Sequence, residues 1–389
     1  MKKKIAILGS TGSIGQNLLK IIEKDKTNFD ILLLTANTDY KLLFKQAKKF
    51  KVKNLIIKDK KSFEILKKKL SNSNINIFNN YENFNIIFKK KIDYAMSSIT
   101  GIEGLLPTIN IIKFTKKIII ANKESIICGW NLISKDLIKY KTKFIPVDSE
   151  HFSLWYGLQN LNIKIIDKIY LTASGGALYK KNPKSFKKVS VDQALNHPNW
   201  KMGKKITIDS ATMINKVFEI IEAKNIFNIK YDKIDILIHP KSYIHAILKF
   251  SNGITKIIAH DTTMIIPIFN TLYEDSEKKI KSNNINMNIL NNLNFKRINK
   301  KKYPVTKILK MLPSNQSLYE TVIVSANDTL VELFLNKKIN FTDIQKILFK
   351  LIKEKEFLKY KNITPKNISQ IIKLNNYVRL KTYKKVYKT

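Results

Sequence analysis

The sequence predicts an α/β protein in three structured parts. These are an N-terminal doubly wound parallel sheet over residues 1–148, an α+β domain over 149–273, and a helical domain over 303–389 reached through a linker at 274–302. Three observations carry this reading. Short apolar runs alternate with Lys-rich amphipathic stretches through the N-terminal part. Strand-like runs and one long helical stretch share the middle part. The tail shows only helical periodicity.

The first run, at 4–8, reads Lys-Ile-Ala-Ile-Leu, as buried parallel strands do, and Gly9-Ser10-Thr11-Gly12-Ser13-Ile14-Gly15 follows at once. A helical stretch at 16–24 and a second apolar run at 29–35 complete a strand, glycine turn, helix, strand unit. Glycines allow the tight turn and close backbone approach, and the helix N-terminus offers N–H groups to a pyrophosphate. Many such turns carry glycines for geometry alone, but at the head of an alternating β/α chain the pattern favours a dinucleotide-binding, Rossmann-like sheet. Further strands are expected at 54–58, 92–97, 117–121 and 143–147.

In such sheets ligands bind at the carboxyl ends of the strands. Two polar clusters sit there, Ala121-Asn122-Lys123-Glu124-Ser125 and Pro146-Val147-Asp148-Ser149-Glu150-His151. If 144–148 is a strand, the carboxylates of Asp148 and Glu150 project to one side of its end and offer half a site for Mg²⁺ or Mn²⁺. A polar turn is the commoner meaning of such a hexapeptide, and a surface lysine the commoner meaning of Lys123. The glycine loop upstream and an Asn-Lys-x-x-Glu helix downstream favour the site.

In the middle part, Leu171-Thr172-Ala173-Ser174-Gly175-Gly176 ends a strand in a small-residue turn suited to an anion. His197-Pro198-Asn199-Trp200-Lys201-Met202-Gly203 is a Pro/Gly-bounded loop whose Trp either packs down or closes over a ligand. From Asp209 or Ser210 as N-cap, a helix through Glu219 sets Asn215, Lys216 and Glu219 on one face, among Met213, Ile214, Val217, Phe218, Ile220 and Ile221. An ordinary Lys–Glu surface pair would have fewer apolar neighbours. Strands are expected at 234–238 and 244–250; His239 and His245 read equally as buried or catalytic, and His260 receives no role. In the tail, helices are expected at 317–336, at 341–353 with Thr342 or Asp343 as N-cap, and at 367–374.

The net charge of +41 raises nucleic acid and anionic membrane as partners. The basic residues are nearly all Lys, spread along the chain, with Arg only at 297 and 379, whereas phosphate readers favour Arg. No nucleic acid and no membrane partner is therefore expected, and the charge would serve capture of an anionic small molecule. The single cysteine, Cys128, and the absence of an 18-residue apolar run or a leader before the first strand fit a cytoplasmic protein.

The ordered motifs 9–15, 121–125, 146–151, 173–176, 197–203 and 209–219 together resemble the 1-deoxy-D-xylulose-5-phosphate reductoisomerase family, along nearly the whole chain. The resemblance implies metal-dependent isomerisation and NADPH-dependent reduction of a small phosphorylated sugar to 2-C-methyl-D-erythritol 4-phosphate, by a homodimer. It implies Asp148, Glu150 and Glu219 as ligands of Mg²⁺ or Mn²⁺. It implies Lys123 and Ser149 at the substrate, and Ser174, Ser210, Asn215 and Lys216 at its phosphate with His197 nearby. Trp200 and Met202 would belong to a lid. Thr11, Gly12, Ser13 and Ile14 would face the cofactor pyrophosphate, with Asn37, Asn122, Glu124 and Gly203 also near the nucleotide.

Some positions depart from the family pattern. Where the family carries a basic patch for the 2′-phosphate, this chain has Asn37-Thr38-Asp39, and an acid there favours a free ribose hydroxyl, so NADH competes as reductant. Val217 and Ala177-Leu178 also depart, at positions that read as packing. A semialdehyde or acyl-phosphate reductase is the competing enzyme class, with Cys128 as its nucleophile.

Overall fold

The computed structural model describes residues 2–274 and 276–387, and the chain forms two compact units. The first comprises Met1–Ser125, Asn131–Asp148 and Met264–Ile280. Its strands are β1 (Lys3–Leu8), β2 (Phe29–Ala36), β3 (Asn54–Ile57), β4 (Asn76–Phe78), β5 (Tyr94–Ser97), β6 (Lys117–Ile120) and β7 (Lys143–Pro146). They form one sheet in the order β4-β3-β2-β1-β5-β6-β7, parallel throughout. Buried on both faces, these strands carry uninterrupted apolar residues such as Ile5–Leu8 and Ile118–Ile120. The chain walks outward from β1 to β4 and returns to β5 on the other side of β1. This puts the switch point, where such sheets bind ligands, between the ends of β1 and β5.

β7 corrects one expectation. It stops at Pro146 rather than 148, and Ser149–Gly157 is a helix. Proline has no N–H with which to continue a ladder, so pairing ends at Ile120–Pro146. Asp148 therefore lies in the link, and Glu150 in the first helical turn, where an acid complements the helix dipole.

The second unit comprises Ile126–Trp130, Ser149–Thr263 and Lys281–Thr389. Its strands β8 (Ile166–Ala173), β9 (Ile234–Ile238), β10 (Ile244–Phe250), β11 (Thr255–Ala259) and β12 (Lys296–Arg297) form a sheet ordered β11-β10-β8-β9-β12. Only β8 and β9 pair in parallel.

The helix expected from Asp209 or Ser210 is instead two, Lys204–Thr212 and Ile214–Phe227, broken at Met213 with φ 72°. Asp209 caps neither. Its carboxylate is taken by Lys205 Nζ at 2.9 Å and Asn327 Nδ2 at 2.9 Å. In the tail, Ser317 caps Leu318–Leu335. Phe341–Ile352 is capped by Asn340 rather than Thr342 or Asp343, because Asp343 reaches back to the Asn340 N–H at 3.0 Å in a capping box. The last helix, Ile368–Tyr387, runs well past the expected 374.

Candidate functional site

In the first unit the glycine turn sits at the end of β1. Gly9 has φ +84°, and a Cβ there would lie 2.9 Å from the Ser98 backbone; at Gly15 it would lie 2.5 Å from the Gly9 carbonyl oxygen. Both positions therefore require glycine. Gly12 is the N-cap of Ser13–Glu23 and no side chain caps that helix, so its first N–H groups suit an anion. Gly12 and Ser13 are exposed, with Thr11 and Ile14 half-buried. Ser10 is turned inward, bonded to Gln46 at 2.8 Å. The backbone cradle thus fits a pyrophosphate.

After β2, Asn37, Thr38 and Asp39 are exposed, and the Asp39 carboxylate caps Tyr40–Phe50 by accepting from Leu42 N–H at 3.0 Å. After β6, Asn122 caps Lys123–Lys139, and its amide donates to the carbonyls of Ile99 and Gly101. It therefore ties the ends of β5 and β6 together. Lys123 and Glu124 are buried, and Lys123 Nζ lies 3.3 Å from Asp148 Oδ2.

The second unit gathers the remaining expected residues into two groups. In one, Glu150 and Glu219, from separate helices, share the ammonium of Lys216. Its Nζ is 2.9 Å from Glu150 Oε1 and also bonded to Glu219 Oε2. Asn215 Nδ2 donates to Glu219 Oε1, and Ser149 Oγ donates to Glu150 Oε2 at 2.6 Å. Lys216 is only 3% exposed. Burial by itself would lower its pKa, but Glu150 and Glu219 outweigh burial and hold it above the ordinary lysine value. Two carboxylates around one ammonium leave hard oxygen donors of the kind Mg²⁺ and Mn²⁺ take.

In the other group, Ser174 Oγ is 2.9 Å from His197 Nε2 and accepts from the Gly176 N–H at 3.0 Å. His197 Nδ1 accepts from the N–H groups of Asn199 at 3.2 Å and Trp200 at 3.0 Å. That assigns the Nε2–H tautomer, donating to Ser174, and burial lowers the His197 pKa. A Cβ at Gly176 would lie 2.6 Å from the Ser210 carbonyl oxygen, which brings Ser210 beside the same turn. Trp200 meets the ring of His245 edge-on at 6.2 Å, and His245 stacks on His260 at 3.7 Å. Met202 is half-buried, and Gly203, the exposed N-cap of Lys204–Thr212, has open space around it.

Sequence reasoning gave no supporting role to His151 or His260 and left His245 open between burial and catalysis. His151 is fully buried with Nε2 2.8 Å from the Glu219 carbonyl oxygen, and so fixes the backbone of the helix bearing Lys216. His245 and His260 back the tryptophan. Periodicity cannot distinguish such roles from core packing. Cys128 is fully buried inside a helix, an unsuitable place for an acyl-forming nucleophile. Among the described residues no helix is long and apolar enough to cross a membrane.

Comparison with known proteins agrees along the chain. Residues 5–129 match the family described as 1-deoxy-D-xylulose 5-phosphate reductoisomerase, residues 144–227 its C-terminal domain family, and 261–381 the DXP reductoisomerase C-terminal domain. The chain is 59% identical over 381 residues to the 1-deoxy-D-xylulose 5-phosphate reductoisomerase of Pelagibacter ubique, covering 97% of this chain and 98% of the relative. It is 37% identical to that of a Thermoanaerobacter species, covering 98% and 99%. Among solved structures, the reductoisomerase of Zymomonas mobilis in complex with NADPH superposes with a TM-score of 0.87 at 29% identity, covering 99% of each chain. A DOX-P reductoisomerase in complex with NADPH, fosmidomycin and magnesium superposes with a TM-score of 0.90 at 29% identity, covering 99% and 98%. With this fold, these motifs in this order and these relatives, the chain belongs to the 1-deoxy-D-xylulose 5-phosphate reductoisomerase family.

Proposed function

We propose that this chain converts 1-deoxy-D-xylulose 5-phosphate (DXP) to 2-C-methyl-D-erythritol 4-phosphate, an isomerisation and an NADPH-dependent reduction that need Mg²⁺ or Mn²⁺. The observation that carries the site reading is the meeting of Glu150 and Glu219 at the buried ammonium of Lys216, in a chain of this family. When bound, a divalent cation supplies Lewis-acid polarisation of a substrate oxygen, and the nicotinamide supplies a hydride.

Glu150 and Glu219 hold the cation. Asp148, two residues before Glu150 in the chain, is its third ligand by the resemblance. Lys216 compensates the charge of the two glutamates and, with Asn215, Ser174 and Ser210, binds the substrate phosphate, with His197 beside them. Lys123 and Ser149 contact the reacting part of the substrate. Phosphate contacts lie away from the bonds that change, so their binding energy goes into orientation and closure of the lid that carries Trp200 and Met202. Thr11, Gly12, Ser13 and Ile14 hold the pyrophosphate, with Asn37, Asn122, Glu124 and Gly203 along the rest of the nucleotide. The chain works in the cytoplasm as a homodimer; β11, an edge strand with Ile257 half exposed, offers an unpaired edge and apolar surface for a second copy.

The test is DXP-dependent oxidation of NADPH, with NADH run alongside, in the presence and absence of Mg²⁺ or Mn²⁺. Turnover that needs both DXP and metal is expected. No turnover with either nicotinamide by folded, metal-loaded protein would refute the assignment, and light scattering would test the dimer.

A further inference from the structure

The turn that carries Ser174 is held from a distant part of the chain. Gly175 and Gly176 have φ +90° and +72°, and the peptide between them is hydrogen-bonded at both ends. One end is the Gly176 N–H, which donates to Ser174 Oγ at 3.0 Å. The other is the Gly175 carbonyl, which accepts from the hydroxyl of Tyr303 at 2.9 Å. Since the peptide is planar and rigid, fixing its oxygen fixes the direction of its N–H.

Tyr303 is itself well fixed. It is 2% exposed, and the neighbouring Lys302 sends its ammonium to the carbonyls of Tyr179 and Lys181, the latter at 2.9 Å. The same ammonium lies 5.7 Å from the ring centre of Tyr179, 5.8 Å from that of Phe186 and 5.7 Å from that of Tyr303. A line of hydrogen bonds therefore runs from Tyr303 through the Gly175–Gly176 peptide to Ser174 Oγ, on to His197, and from His197 to the N–H groups of Asn199 and Trp200.

We propose that Tyr303, supported by Lys302, is a positioning residue for the substrate phosphate, acting through the Gly175–Gly176 peptide on Ser174 and His197. The inference rests on the reading of Ser174 as a phosphate contact given above. Tyr303 does not touch substrate in this account. It sets the direction in which Ser174 and the loop at 197–203 present their donors.

The test compares wild type with Tyr303→Phe, which keeps the ring and removes the hydroxyl. The expected result is a rise of roughly tenfold in the KM for DXP, the loss of one buried hydrogen bond, with kcat within about threefold of wild type. Fosmidomycin binding should weaken in parallel, and NADPH affinity should not change. Lys302→Met keeps an apolar stem against the three rings, removes the donor to the Tyr179 and Lys181 carbonyls, and should give a smaller rise of about threefold; it decides the matter if Tyr303→Phe does not fold. A folded variant with unchanged KM, or one that loses NADPH and DXP affinity equally, would overturn the inference. Lack of DXP turnover by the wild type would instead bring down the function reading, and this inference with it.

Discussion

The two glycine turns of this protein, each proposed above to hold a phosphate group, are built by different means. Gly9–Gly15 is built mostly by its surroundings in one βαβ unit, with β1 before it and the uncapped helix Ser13–Glu23 after it. Ser174–Gly176 has no such helix behind it, and its central peptide is fixed by Tyr303, more than a hundred residues later. The first turn is set mainly within that unit, with Ser98 packed on Gly9; the second takes a hydrogen bond from a residue 128 positions away. The comparison teaches that a phosphate site on a helix N-terminus carries its own geometry, whereas one on a bare turn borrows geometry from elsewhere in the fold.

The largest expected effect tests whether nucleotide binding and reaction chemistry are separable. Glu150→Gln should lower kcat by more than about a hundredfold, because it removes the charge of a proposed metal ligand, while the Kd for NADPH stays within twofold. A comparable loss of NADPH affinity would end the contrast between the two units.

A paired substitution sharpens the contrast. In Gly15→Ala the new Cβ would meet backbone at 2.5 Å, and in Gly176→Ala at 2.6 Å. Gly15→Ala should weaken NADPH binding by roughly tenfold or more, and Gly176→Ala should raise the KM for DXP by a similar factor. Isothermal titration with NADPH and steady-state kinetics in DXP separate the two. If both variants damage both affinities, the turns are not independent.

A smaller effect is a pH dependence confined to the second turn. Burial lowers the His197 pKa below its ordinary 6.5, so the folded site binds fewer protons than the free side chain. The bonded, neutral arrangement is therefore fully present above about pH 6.5 and is lost as the pH falls through the folded value. The KM for DXP should change in that window by more than protonation of the substrate phosphate, whose second pKa is about 6, accounts for, and His197→Gln should remove that excess.

The smallest effect is a control on stability. Glu320 closes a capping box with Ser317, and burial pushes its pKa up to about 7 from 4.5. Its folded form binds more protons than the unfolded one between these values, so its ionisation weakens the fold as the pH rises from 4.5 towards 7. Glu320→Gln keeps an acceptor at the cap and should raise the Tm by a few degrees at pH 8 and by nothing at pH 5, leaving kinetic constants unchanged. A change in the KM for DXP would mean that the pH response attributed to His197 comes from a general loosening of the second unit.

Much of the fold was legible because parallel strands and amphipathic helices write their periods into contiguous residues. The strands at 234–238 and 244–250 have the expected bounds. Misreadings cluster where a single backbone event overrides the pattern. Pro146 ends β7, Met213 divides an apparently continuous helix, and Asn340 takes a cap two or three residues before those expected, Thr342 or Asp343. At the site, Asn215, Lys216 and Glu219 could be grouped from their spacing on one helix. The partnership of Lys216 with Glu150 could not, since 66 residues separate them.

By itself the sequence determined the order of many elements, the candidates for chemistry, namely the glycine turn and the acids and lysine with polar groups on an otherwise apolar helix, and the motif order that marks the family. Those properties depend on neighbours within a few residues, where period and residue type suffice. Only the tertiary structure decided that Lys216 serves two helices, that His151 holds the Glu219 backbone, that Trp200 leans on a histidine pair, and that Tyr303 sets the peptide behind Ser174. Hydrogen bonds and ion pairs of this kind join residues far apart in the chain. Their partners become known only once packing has fixed the distances.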